Sequence, residues 1–127
     1  MRKCLRAAVL TAALLLTASL YNSAAAQDVY KVAPAMYKVL SDTLGIRVLE
    51  ATYKPGDMSA LHLHPDFALY VLEGGRVEIT GKDGTKQVVD FKTGMGVVLP
   101  SDAHTAKNIG TTTLRLVVVE VNRPRGQ

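Results

Sequence analysis

The sequence has very little cysteine and few aromatic residues, and both shortages limit the classes of protein it can belong to. One of its 127 residues is cysteine and none is tryptophan, so an intrachain disulfide framework is excluded. Charged residues make up 20% and hydrophobic residues 48%, which is typical of a folded chain. The length allows one domain with one core of ordinary size.

Much of the net positive charge of the chain comes from its first residues. The formal net charge is +4, and three of the fifteen lysines and arginines lie among the first six positions. The remaining chain is close to neutral and has no basic stripe interleaved with aromatic residues. It is therefore not predicted to bind nucleic acid.

The first 26 residues have the pattern of an export signal. Three basic residues precede an uncharged apolar stretch at residues 7–20, and the alanines of residues 24–26 follow. The apolar stretch is too short to favour a permanent membrane anchor, and a buried N-terminal helix is the alternative. We expect cleavage after Ala26 and a mature domain at residues 27–127 without a membrane association. Its expected location is periplasmic or secreted.

Most of the mature sequence has the pattern of short β-strands separated by turns. Residues 76–80 alternate polar and apolar side chains, and the glycines of residues 81–84 suit a tight hairpin. The predicted strands are residues 45–53, 61–64, 68–73, 76–80, 86–91, 96–100, 104–109 and 114–121. No stretch of ten residues has a helical period. The pattern predicts an all-β sandwich or barrel with its core at about residues 45–122.

Residues 28–40 are ambiguous, because Pro34 interrupts any early helix. They could form a strand along a sheet edge or pair with a second subunit. Since an open barrel of this size keeps exposed edges, we expect a homodimer in which residues 28–40 cover them.

The mature sequence contains three histidines, and two of them are spaced as neighbours on one face of a strand. His62 and His64 point to the same side of a predicted strand, while Leu61 and Leu63 point to the other. His104 reaches them only if the sheet folds over on itself. Three converging imidazoles suit zinc or another first-row divalent ion and leave open coordination positions. Three unrelated surface histidines are the alternative.

The segments around these histidines resemble the two sequence motifs of the cupin family. The first motif is carried by Gly56, His62, His64 and Gly75, and the second by Gly94, Pro100, His104 and Asn108. The resemblance covers residues 48–121 and implies a cupin-type jelly-roll barrel. It also implies that the three histidines hold a divalent metal ion inside the barrel, with Zn, Fe, Mn, Ni and Cu as the candidates.

One ligand that the resemblance implies is missing from this sequence. The glutamate of the first motif would fall at Ala68 or Leu69, and neither side chain can bind a metal. Asp66 is the nearest carboxylate, either as a fourth oxygen ligand or as a solvated turn residue. A site of three neutral imidazoles has more open positions than one with a carboxylate ligand. We expect Asp66 and Tyr70 to line a ligand pocket beside the metal.

Three functions stay open at this point. The first is an exported small cupin that binds a divalent metal ion, with a small-molecule ligand at the open positions. The second is a metal-dependent enzyme, an oxygenase or isomerase, for which Asp66 and Asp102 are the nearby carboxylates and no catalytic residue is assigned. The third is a metal-free ligand-binding or scaffold barrel.

The expected apolar lining of the interior consists of Phe67, Leu69 or Tyr70, Val97 and Leu116.

Overall fold

A computed structural model describes residues 27–126, and nearly all regular structure in this range is β-strand. Ten strands and one short helix follow one another along these residues. They are β1 (Gln27–Asp28), α1 (Val29–Val32), β2 (Tyr37–Thr43), β3 (Ile46–Tyr53), β4 (His62–His64), β5 (Phe67–Glu73), β6 (Gly75–Gly81), β7 (Lys86–Phe91), β8 (Gly96–Leu99), β9 (Asp102–Asn108) and β10 (Leu114–Val121). The all-β prediction is confirmed. The expected signal at residues 1–26 lies outside the described residues.

The strands form two sheets of five. The first sheet has the order β1-β4-β9-β6-β7, and the second has the order β2-β3-β10-β5-β8. From β1 to β10 the chain changes sheet at every connection except β2–β3 and β6–β7. Segments that are far apart in sequence therefore become neighbours in a sheet, as the jelly-roll prediction requires.

The hydrophobic core lies between the two sheets. In β10, Leu114, Leu116 and Val118 are buried while the residues between them are only partly buried, which is the alternation of a strand with one inward face. Leu49 of β3 and Val71 of β5 are fully buried in the same core. Burial of each such side chain stabilises the fold by about 1.5–3 kcal/mol.

The hairpin expected at residues 81–84 connects β6 to β7. Gly84 has a φ of 86°, a value at which a side chain would be strained, so glycine suits this position. Asp83 supports the turn by accepting hydrogen bonds from the backbone N–H and the hydroxyl of Thr85, both at 2.9 Å. The turn prediction is confirmed, and it sets the register of the β6–β7 pair.

Residues 28–40, which the sequence left ambiguous, contain three kinds of structure. β1 pairs in parallel with β4, α1 forms a single turn, and β2 pairs with β3 as an edge strand. Pro34 follows the end of α1, as its missing N–H predicts. Across residues 27–126 there is no helix with the length and apolar character needed to cross a membrane.

Candidate metal centre

The two histidines of the His-Leu-His segment lie inside the molecule, on β4 of the first sheet. His62 and His64 are 0% and 2% exposed, whereas Leu63 between them is 38% exposed. Because strand residues alternate between faces, the imidazoles point into the core and the leucine points outward. A strand normally buries its apolar residues and exposes its polar ones, so this inverted pattern indicates a functional interior.

Strand pairing brings the third histidine to the same place. β4 pairs antiparallel with β9, and His62 lies directly opposite His104. The ring centroids are 4.6 Å apart for His62 and His104, 4.9 Å for His62 and His64, and 5.5 Å for His64 and His104. One nitrogen from each ring lies within 4.8 Å of the others. The predicted convergence is confirmed, and the three imidazoles are positioned to bind a metal ion.

The Nδ1 atom of each imidazole already has a hydrogen-bond acceptor. His62 Nδ1 lies 2.8 Å from the carbonyl oxygen of Ala60, His64 Nδ1 lies 2.7 Å from Glu120 Oε1, and His104 Nδ1 lies 2.8 Å from Asp102 Oδ2. Because a carbonyl or an ionised carboxylate only accepts, each Nδ1 carries the proton and donates it. The lone pair of each neutral ring is therefore on Nε2, which is the atom left to bind a metal.

Burial disfavours the charged form of two of these imidazoles, those of His62 and His104. Removal from water lowers the pKa of His62 to about 3, because burial disfavours the charged ring and the other two histidines add repulsion. Burial also lowers the pKa of His104, against the opposing effect of its hydrogen bond to Asp102. Within residues 27–126, His62 Nε2 is the buried side-chain polar atom that has no hydrogen-bond partner. A buried nitrogen that lacks a partner and cannot easily accept a proton is suited to a metal ion.

Glu120 is part of this centre, and the sequence analysis missed it. Its side chain is 2% exposed and accepts a hydrogen bond from His64. Its second oxygen, Oε2, accepts from Arg47 Nη1 at 3.1 Å, and Arg47 also donates to Asp42 at 2.9 Å. A signal was available, because Glu120 continues the inward-facing alternation of β10.

The positions where the cupin motif would have its glutamate are apolar in the structure. The inward residues of β5 are Phe67, Leu69 and Val71, and Ala68 between the first two is half-buried. The Phe67 ring packs on His64 with the ring centroids 4.7 Å apart. An apolar wall therefore stands on this side of the histidines, and β5 supplies no ligand.

The expectation that Tyr70 lines the interior is wrong. Tyr70 is 51% exposed and lies on the outer face of β5, because Leu69 and Val71 on either side of it are the buried residues. A shift of one residue along a strand exchanges the two faces, and the sequence alone left this register open.

Asp66 is also absent from the interior. Its carboxylate accepts hydrogen bonds from Arg125 at 2.6 and 2.7 Å and from the Ser101 backbone N–H at 2.9 Å. The contact with Arg125 lowers the pKa of Asp66 to about 2. The alternative in which Asp66 becomes a fourth metal ligand is therefore wrong, and the carboxylate instead ties the C-terminal segment to the loop before β5.

Two cavities adjoin the histidines, and Phe67 and His104 line both of them. The inner cavity has a volume of about 50 Å³. Its lining is almost wholly apolar and aromatic apart from two of the histidines, and consists of Tyr37, Tyr53, His64, Phe67, Leu69, Val77, Phe91, His104, Ala106, Leu114, Leu116 and Val118. The outer cavity, of about 230 Å³, is lined by Phe67, Leu99, Pro100, Ser101, Asp102 and His104. Of the lining predicted from sequence, Phe67, Leu69 and Leu116 are confirmed, while Val97 lies outside both cavities.

Comparison with known proteins agrees with the geometry. A model of the cupin domain family matches residues 49–120, more than half of the chain. A crystal structure of a cupin domain from Bordetella pertussis is similar with a TM-score of 0.64 and 20% identity, covering 69% of this chain and 93% of that one. A protein with a double-stranded β-helix domain from Klebsiella pneumoniae is similar with a TM-score of 0.55 and 24% identity, covering 69% of this chain and 77% of that one. An RmlC-like cupin family protein from Methanocaldococcus jannaschii is similar with a TM-score of 0.55 and 19% identity, covering 68% of this chain and 78% of that one. Among proteins of curated function, none matches the sequence.

Proposed function

The chain belongs to the cupin domain family, and from that premise we propose that it binds one divalent transition-metal ion through Nε2 of His62, His64 and His104. The observation that carries this proposal is the hydrogen bonding of the three rings. Every Nδ1 has an acceptor, and the ligand atoms of the three residues lie within 4.8 Å of one another. Neutral imidazoles fixed in this way need no further deprotonation before they bind a metal.

The donor set suits Zn, Fe, Mn, Ni or Cu, all of which accept imidazole nitrogen. Since the three protein ligands carry no charge and β5 adds none, a bound ion would keep open positions and would supply Lewis-acid chemistry there. A scaffold without metal explains the centre less well, because it leaves His62 Nε2 buried without a partner.

We further propose that a small molecule binds at the open positions from the outer cavity. This cavity reaches His104 and is bounded by the apolar side chains of Phe67, Leu99 and Pro100. A volume of about 230 Å³ suits a compact, partly apolar ligand. Phe67 also lines the inner cavity.

Elemental analysis of the purified protein beside its His62→Ala variant tests the metal proposal. We expect about one metal ion per chain in the protein and none in the variant, because loss of one of three ligands removes the site. Leu63→Ala is the matched control, since Leu63 lies between the two histidines on β4 but faces outward. It should keep the metal. Equal metal content in the protein and in His62→Ala, or no metal in either after loading with zinc, would contradict the proposal.

A further inference from the structure

Glu120 is a buried carboxylate that occupies no ligand position. Its side chain is 2% exposed, and both of its oxygens are engaged, one by His64 and one by Arg47. Burying an ionised carboxylate is costly unless it is fully paired. The pairing here is complete, and half of it is with a ring proposed to bind the metal.

The charges around the centre show what this carboxylate can do. Three neutral imidazoles leave the charge of a divalent ion uncompensated. Arg47 lies between Glu120 and Asp42, at 3.1 and 2.9 Å, so its positive charge is shared between two carboxylates and only partly cancels the negative charge of Glu120. That charge reaches the metal through the His64 ring, because a carboxylate that accepts from Nδ1 makes the imidazole a stronger donor at Nε2.

We propose that Glu120 is a positioning residue that compensates the charge of the bound ion from the second sheet, in place of the carboxylate ligand that β5 lacks. This inference rests on the proposed metal site. It has a consequence for the ligand at the open positions: with its charge partly balanced, the ion attracts anions less strongly than it would without Glu120.

Asp102 makes the same kind of contact with His104, at 2.8 Å, but its side chain is 55% exposed. Water screens an exposed charge far more than a buried one. Glu120 therefore carries most of the compensation, and the removal of its charge should have a larger effect than the removal of the charge of Asp102.

The test uses Glu120→Gln, which keeps the shape and an acceptor oxygen but removes the charge. Cobalt(II) affinity is measured by chelator competition, and azide affinity is measured from the visible spectrum of the cobalt-loaded protein. We expect cobalt affinity to fall by about 10–100-fold. Azide should bind about tenfold more tightly, because an anion then meets a less compensated ion. Asp102→Asn should change both affinities in the same directions by less.

Glu50→Gln is the matched control, because Glu50 is also on the second sheet and is also paired with an arginine, Arg115, at 2.7 Å. It should leave both affinities unchanged. Weaker cobalt binding with unchanged azide affinity would overturn the proposal, since it would indicate a packing role alone. Wild-type values for both affinities in Glu120→Gln would overturn it as well, while the metal site would stand if His62→Ala still loses the ion. If Glu120→Gln does not fold, cobalt and azide affinities are measured in Glu120→Met, whose side chain has a similar volume.

Discussion

The two sheets contribute unlike parts to the proposed metal centre. The first sheet supplies all three imidazoles, from β4 and β9, and their convergence follows from one strand pair. The second sheet supplies no ligand but supplies the side chains that surround them: Glu120 and Arg47, which pair with each other, and Phe67, which packs on His64. The proposed ligands are thus set by the pairing of two strands within one sheet, and their surroundings are set by how the sheets pack together.

This difference predicts different consequences for substitutions in the two sheets. Loss of a first-sheet histidine should remove the metal, whereas substitutions in the second sheet should change stability, affinity or ligand preference and keep the metal stoichiometry. The three predictions below test this division, from the largest expected effect to the smallest.

Phe67→Ala should destabilise the protein by about 3 kcal/mol or more, because it removes a buried aromatic ring and leaves a cavity. Phe67 is 5% exposed, and it lines both cavities beside the histidines. Urea unfolding of the metal-free protein measures the loss of stability. Elemental analysis of the zinc-loaded variant should still give one ion per chain, since every ligand remains.

Tyr70→Ala is the control for this substitution, because Tyr70 lies on the opposite face of the same strand and is 51% exposed. Its effect should stay within about 1 kcal/mol. If Phe67→Ala lost its metal as completely as His62→Ala, the second sheet would be essential to the ligand set and the division between the sheets would be wrong.

The second prediction concerns the histidines of the first sheet and the stability of the protein at acidic pH. Burial lowers the pKa of His62 to about 3, whereas a histidine in the unfolded chain titrates near 6.5. Between these values the unfolded state binds more protons than the folded state, so the stability of the metal-free protein should fall as the pH falls from 6.5 towards 3. His62 alone should account for a loss of about 2 kcal/mol between pH 7 and pH 5. The lowered pKa of His104 acts in the same direction.

Urea unfolding of the metal-free protein at pH 7, 6 and 5 measures this loss. Asp66, whose pKa is about 2, adds acid sensitivity only below about pH 4, where the unfolded carboxyl begins to protonate, so it does not interfere. The His62→Gln variant should show a shallower dependence on pH than the wild-type protein. A stability that stays constant between pH 7 and pH 5 would show that the imidazoles are not held neutral by burial.

Sequence patterns were sufficient for the first sheet's part of the centre. Period-two alternation placed His62 and His64 on one face, and the second cupin motif placed His104 where a jelly roll brings it back to them. Both signals are local, because each depends on a few neighbouring residues. The same reasoning located the β6–β7 hairpin and the strands around it.

The second-sheet residues that surround the histidines could not be predicted from the sequence in the same way. The assignment of Tyr70 to the interior failed because β5 is apolar on both faces, so alternation did not distinguish them. Glu120 was overlooked because its partner, His64, lies on the other sheet, and no local motif relates the two. The alternation of β10 placed Glu120 on the same face as its buried residues, and this was the signal available in the sequence. A charged residue at an inward position needs a buried partner.

The smallest expected effect belongs to a hydroxyl on the second sheet. Tyr53 and Tyr37 are hydrogen-bonded through their hydroxyls at 3.1 Å, in the core, and the Tyr37 ring centroid lies 6.0 Å from that of His62. Burial raises the pKa of Tyr37 well above its usual value, so the hydroxyl stays protonated and is not a phenolate ligand. Tyr37→Phe should therefore cost about 1 kcal/mol through the lost hydrogen bond. That cost should be the same at pH 5 and pH 7, unlike the contribution of the histidines. Unfolding measured at both pH values, beside the exposed control Tyr70→Phe, checks this, and a variant that lost its metal would show that Tyr37 belongs with the ligands.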